Sequence, residues 1–217
     1  MFFFPLGCLL ALLFLLFIPI LVVSILFDLV TFSFEELGLS PQTAILTLIL
    51  ILIGSMVNIP LTRRRVEYVR SPGFWGFFGS PRVRTSGVAV NVGGAIVPTC
   101  LSAYLLTVVP SLTPVLAATV VMTVIAKLSA RPIAGVGITL PMFVPPVAAA
   151  LLAILLARDF AAPCAYIAGT MGVLVGADLL NLHRIGRLGG VVSIGGAGVF
   201  DGIFLVGVVS VLLTALF

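Results

Sequence analysis

The feature that most constrains this chain is the recurrence of apolar runs about as long as a bilayer is thick. An α-helix needs about 20 mainly apolar residues to cross the hydrocarbon core. Runs of that kind, separated by polar breaks, cover about 4–30, 42–61, 88–109, 112–128, 133–157, 163–182 and 198–217. Composition points the same way. Of 217 residues, 61% are hydrophobic and only 8% are charged, and the mean hydropathy is +1.36. A soluble domain carries charge on about a quarter of its residues, so the solvent expected here is lipid. The expected fold is an all-α, polytopic transmembrane helical bundle of about seven spans. Residues 1–217 are taken as a single transmembrane domain with a basic loop at about 62–87. The first run has no basic residues ahead of it and exceeds a signal-peptide core, so it reads as a retained helix.

Seven spans place successive loops on alternating sides, and the charges test that count. One side receives Arg63, Arg64, Arg65, Arg70, Arg82, Arg84, Lys127, Arg131, Arg184 and Arg187. The other receives Arg158 with Glu35, Glu36 and Asp159. Basic residues gather on the cytoplasmic side of membrane proteins, so the N-terminus is expected in the cytoplasm. The chain is expected in the plasma membrane, as a multi-pass protein. The segment "LTRRRVEYVR" and the aromatic "GFWGFFG" then read as a topology signal and an interfacial belt, not as a nucleic-acid surface. Cys8, Cys100 and Cys164 sit in apolar sequence without metal-ligand or disulfide spacing, so they read as small membrane-buried residues. No metal or cofactor is expected.

An internal echo runs through the chain. "VNVGGAIVP" from Val90 and "VSIGGAGVF" from Val192 agree at five of their first eight positions, and both open inside-to-outside runs. "VGITLPMFVPP" from Val136 shares the pattern weakly. The glycines suit close helix approach in lipid, and Pro98, Pro141, Pro145 and Pro146 are expected to break or kink their helices.

Two aspartates stand out within this apolar sequence. Asp178 lies in "GVLVGADLLNL" near the end of the sixth run, and Asp201 in "GVFDGIFLVGVV" near the start of the seventh. Asp201 has no basic residue within ten positions on either side. A Gly-rich loop joins the two runs, so both carboxyls are expected toward the cytoplasmic side at comparable depth. If helical, the six residues from Asp178 to Arg184 span about 9 Å. A carboxylate in mid-membrane costs about 2.5–3.5 kcal/mol on insertion scales and is a functional site by default. Two facing carboxyls cannot both ionise cheaply, so they form an acid and base pair able to activate water and protonate a carbonyl.

These residues resemble the GxGD group of intramembrane aspartyl proteases: presenilins, signal peptide peptidases and prepilin peptidases. Gly198, Asp201, Ile203 and Phe204 match the motif and its apolar flank, and Asp178 takes the place of the partner aspartate on the preceding span. The chain also resembles a small prokaryotic family of multi-span membrane proteins. The protease resemblance implies Asp178 and Asp201 as catalytic groups, with Gly176, Gly198, Phe200, Ile203 and Phe204 supporting them. It implies a transmembrane peptide as substrate, with the lipid bilayer as the surrounding partner. Phe200 stands where the motif has glycine, and Ala177 where the family has tyrosine. The family's Pro-Ala-Leu element lies on a later helix. Here "NIPL" (Asn58, Pro60) or "TLPM" (Pro141) is expected to substitute by position. Two alternatives use the same aspartates: a proton- or cation-coupled transporter, with Asn58 and Asn91 along its pathway, and a non-catalytic scaffold in which they pair with basic residues. His183, beside Arg184, reads as an interfacial residue.

Overall fold

The computed structural model describes residues 6–62, 65–70, 81–133, 137–183, 190–196 and 201–217. Helix α1 (Leu6–Glu36) and α2 (Pro41–Gly54) come first. Strands β1 (Asn58–Pro60), β2 (Arg65–Arg70) and β3 (Pro81–Asn91) follow. A π-helical turn, Val92–Ile96, leads into α3 (Val97–Val108), then α4 (Leu112–Ser129). A short hairpin of β4 (Arg131–Ile133) and β5 (Gly137–Thr139) precedes α5 (Val144–Leu156). Helix α6 (Ala161–Val173) continues through a π turn, Leu174–Asp178, and a 3-10 turn, Leu179–Asn181. Strand β6 (Gly190–Ile194) and helix α7 (Gly202–Thr214) close the chain.

Three stretches are long and apolar enough to cross a membrane: Phe14–Glu36, Leu112–Ser129 and Arg158–Asn181. Four shorter apolar helices, Pro41–Gly54, Val92–Val108, Val144–Leu156 and Gly202–Thr214, coincide with the other expected runs. No part of the apolar window in Phe14–Glu36 is buried inside the protein. Phe14, Phe17, Leu26 and Val120 are among many large apolar side chains left exposed. Exposed apolar surface on this scale marks a membrane-facing surface. The chain is a helical protein of the membrane class.

Strands occupy part of three of the expected runs: β1 in 42–61, β3 in 88–109, and β4 with β5 in 133–157. The β-branched stretch around Val88 and Val90 pairs as β3, and "VVSI" pairs as β6. β-branched side chains fit a pleated surface better than a helix. The expected break falls at the prolines of the fifth run: Pro145 and Pro146 stand in the first turn of α5, where the missing N–H has no helical partner to lose. Pro98 follows directly on the π turn Val92–Ile96, at the change of winding into α3. Pro141 precedes α5 altogether. Asp201 likewise is not set inside a helix but caps one.

Helix α6 is the centre of the bundle, with α3, α4, α5 and α7 packed around it. Cys164 through Thr170 are all fully buried. Small residues allow that crowding: a Cβ on Gly172 would lie 2.6 Å from Met122 Cγ of α4. Helix α1 reaches this core through Phe34, whose ring meets Phe204 of α7 edge-on at 6.5 Å.

The sheet is the element that the apolar-run reading did not contain. β3 is its middle strand. β1 and β2 pair antiparallel along one edge and β6 pairs parallel along the other. Part of the expected basic loop at 62–87 is therefore the β2–β3 ladder. The two echoed segments become parallel neighbours, with Val88 opposite Val192 and Val90 opposite Ile194. Each strand runs on toward a helix, β3 toward α3 and β6 toward α7.

Candidate active site: an aspartate-bearing cavity

The path of α6 places Asp178. The helix widens into a π turn over Leu174–Asp178 and tightens into a 3-10 turn at Leu179. Such a change of winding leaves carbonyls without helical donors, and π turns recur at functional sites. The buried Asn181 answers those carbonyls: its Nδ2 donates to Ala177 O at 2.9 Å and Gly176 O at 3.2 Å. Gly176 lies against α4, where a Cβ would overlap the carbonyl of Thr123. The turn is thus clamped from two sides, with Asp178 at its end and half-buried.

Asp201 is placed by different means. It is the N-cap of α7, with extended backbone, and its carboxylate accepts the Ile203 N–H at 2.9 Å. Its own carbonyl accepts the first helical N–H, from Leu205. Asp is among the best capping residues, and its charge suits the positive end of a helix. This capping role explains part of why a carboxyl stands at position 201.

Both aspartates line one cavity of about 770 Å³, near enough for their charges to interact. Its other walls come from Ile138 to Phe143, from Val192 and Ser193 of β6 and Gly196 just after it, and from Leu205, Val206 and Val209 of α7. Thr139, Leu140, Pro141 and Met142, the "TLPM" segment, lie alongside the pair as one of the two expected substitutes. The other does not. Asn58 and Pro60 belong to β1, paired with Asn91 and Ala89, and neither lines the cavity.

Ile203 and Phe204 are core residues, 0% and 2% exposed; they secure α7 and do not reach the cavity. Gly198 and Phe200 lie outside the described residues, as do Arg184, Arg187 and the aromatic segment 71–80. His183 is exposed. Among the described residues, no three His, Cys, Asp or Glu side chains gather as a metal would require.

Sequence reasoning missed Ser193. Its signal was the echo itself, in which Ser193 stands where Asn91 stands in the first copy. Asn91 Nδ2 donates to Asn58 Oδ1 at 3.2 Å, and Ser193 Oγ donates to the same oxygen at 2.5 Å. Asn58 is thus joined to the cavity wall through Ser193.

Fold and site together define a helical membrane protein with an aspartate pair in a partly apolar cavity. A family model described as "Protein of unknown function (DUF1614)" matches residues 52–213, and the chain belongs to that family. The matched stretch contains every residue of the cavity wall and leaves out α1. Comparison with curated proteins and with solved structures finds no match.

Proposed function

We propose that this protein is an intramembrane aspartyl protease-like enzyme that hydrolyses a membrane-embedded peptide with Asp178 and Asp201. The observation that carries the reading is the shared cavity, with both carboxyls on its wall and the Thr139–Met142 segment beside them. In the proposed step, one carboxylate takes a proton from water as that water attacks the scissile carbonyl carbon. The other carboxyl, protonated, gives its proton to the carbonyl oxygen. Collapse of the tetrahedral intermediate then breaks the C–N bond, with a proton delivered to the leaving amine. An apolar wall suits this chemistry, because a carboxyl pair in low dielectric shares one proton more readily than in water.

The reading includes seven membrane spans and a cytoplasmic N-terminus in the plasma membrane, supported by the charge split between alternate loops. Under that topology the cavity opens toward the cytoplasmic side, since Asp178 ends the sixth span and Asp201 begins the seventh.

The test is reconstitution of the purified chain in liposomes with a panel of single-span peptides, read by mass spectrometry. Cleavage within the apolar segment that disappears in both Asp178→Asn and Asp201→Asn supports the reading. Cleavage by none, or cleavage that survives both substitutions, overturns it.

A second reading, a proton- or cation-coupled carrier, draws on one observation. Tyr166 and Thr170, buried in α6 beside Gly207, have hydroxyls that interact with each other but make no hydrogen bond of good geometry among the described residues. Buried hydroxyls in that state are costly unless something transient meets them. Aspartate-dependent proton uptake by proteoliposomes without peptide cleavage would favour this reading.

A further inference from the structure

We propose that Ser193 holds the main chain of a peptide in the aspartate cavity, as a fixed hydrogen-bond acceptor oriented by Asn58 and Asn91. The proposal rests on the peptide-hydrolysing reading above and names the group that would position the substrate.

The argument begins at Asn91, which is fully buried and committed at both ends. Its Oδ1 accepts the Gly94 N–H at 2.8 Å, where it caps the π turn after β3. Its Nδ2 donates to Ser55 O at 2.7 Å and to Asn58 Oδ1 at 3.2 Å. Turning this amide over would set carbonyl against carbonyl, so its orientation is fixed. The oxygen end of Asn58 therefore faces Asn91, and the same oxygen meets Ser193 Oγ at 2.5 Å. A carbonyl oxygen cannot donate, and serine has one proton. That proton is committed to Asn58, leaving the lone pairs of Ser193 Oγ as acceptors.

The backbone sets this hydroxyl at the cavity edge. β3 lies between β1 and β6, and its Ala89, paired to both Pro60 and Ser193, carries only a methyl. That leaves room for Asn58 and Ser193 to meet across it. After Ser193 the chain turns at once: Gly196 N–H donates to Ser193 O at 3.0 Å, with Gly195 at φ +68°. A Cβ on Gly196 would lie 2.6 Å from Ser193 Cβ. Glycine at both places keeps Ser193 at the end of β6, on the same cavity wall as Asp178 and Asp201.

An acceptor without a proton to give selects a donor. With Leu140, Met142, Phe143 and Val209 as apolar neighbours in the cavity, the fitting ligand carries an N–H between apolar side chains. The main-chain amide of an apolar peptide answers that description. Held there, the peptide is anchored at one amide while a nearby carbonyl lies at the carboxyl pair.

The test uses the full chain in lipid nanodiscs and a hydroxyethylene peptidomimetic with apolar side chains. Ester analogues replace one N–H at a time by oxygen. The amide-to-ester affinity ratio is measured within each variant, so differences in the amount of folded protein cancel. Wild type is expected to prefer the amide probe over one ester analogue by about fivefold, the size of one net hydrogen bond. That preference is lost in Ser193→Ala, retained in Ser193→Thr and reduced in Asn58→Ala. A preference that survives Ser193→Ala at every position overturns the proposal, as does equal weakening of all probes. If binding needs Asp178 and Asp201 but is indifferent to Ser193, the proposal falls and the protease reading stands. If wild type binds no probe, or Asp178→Asn and Asp201→Asn bind undiminished, the protease reading falls and takes the proposal with it.

Discussion

Asp178 and Asp201 reach one cavity from opposite kinds of helix end: Asp178 closes a π turn at the end of α6, whereas Asp201 caps the start of α7. The two carboxyls therefore carry different structural duties, and substitutions should separate those duties from chemistry. Asparagine caps a helix about as well as aspartate, whereas alanine costs about 1 kcal/mol. Asp201→Asn should melt like wild type in detergent, and Asp201→Ala should be measurably less stable. Both should lose peptide hydrolysis by at least about 10²-fold, the usual scale of removing an acid or base. Hydrolysis that follows melting temperature, intact in Asn and lost in Ala, would make Asp201 a cap alone.

Gly38 and Gly195 both have positive φ, at 84° and 68°, but differ in their surroundings. A Cβ on Gly38 meets nothing within 4 Å, whereas one on Gly195 would lie 2.6 Å from the backbone of Gly94 and Ala95. Gly38→Ala should thus cost about 1–2 kcal/mol, the left-handed backbone penalty by itself. Gly195→Ala should cost clearly more, because the join between the two echoed segments must also open. Equal losses in thermal or denaturant unfolding would mean that the backbone contact carries no stability.

Gly172 of α6 and Met122 of α4 share one space. Gly172→Ala overpacks it, and overpacking typically costs about 1–3 kcal/mol. Trimming the neighbour should restore part of the loss. The double variant Gly172→Ala, Met122→Ala should show a favourable coupling of about 0.5–3 kcal/mol. Simple additivity in unfolding measurements would place the strain of Gly172→Ala elsewhere.

The orientation is testable with single cysteines in a background lacking Cys8, Cys100 and Cys164. Gln42 and His183 are both exposed. A membrane-impermeant maleimide should label Gln42→Cys on intact cells and His183→Cys only in inverted vesicles. The reverse pattern would invert the topology, and labelling of both from one side would refute the seven-span count.

The membrane class and the position of each long apolar helix among the described residues were legible in the sequence, because lipid imposes a composition that no soluble chain shares. The fourth run, 112–128, matches α4 to within one residue at its end. Three other runs took in strands. Hydropathy does not distinguish an apolar strand from an apolar helix, and "VAV" at the start of the third run satisfies either. The echo was visible as letters, but not as two parallel strands.

The candidate site divides along the same line. The sequence by itself determined that Asp178 and Asp201 are out of place in an apolar chain, since the cost of a carboxylate in lipid depends only on residue type and surroundings. Only the tertiary structure decided which residues share their cavity. Pro141 was brought in, while Pro60, Ile203 and Phe204 went elsewhere, and Ser193, Asn58 and Asn91 were joined through one oxygen. Those choices depend on strand register, on the winding of α6 and on where glycine lets backbones touch, and such contacts form between segments far apart along the chain.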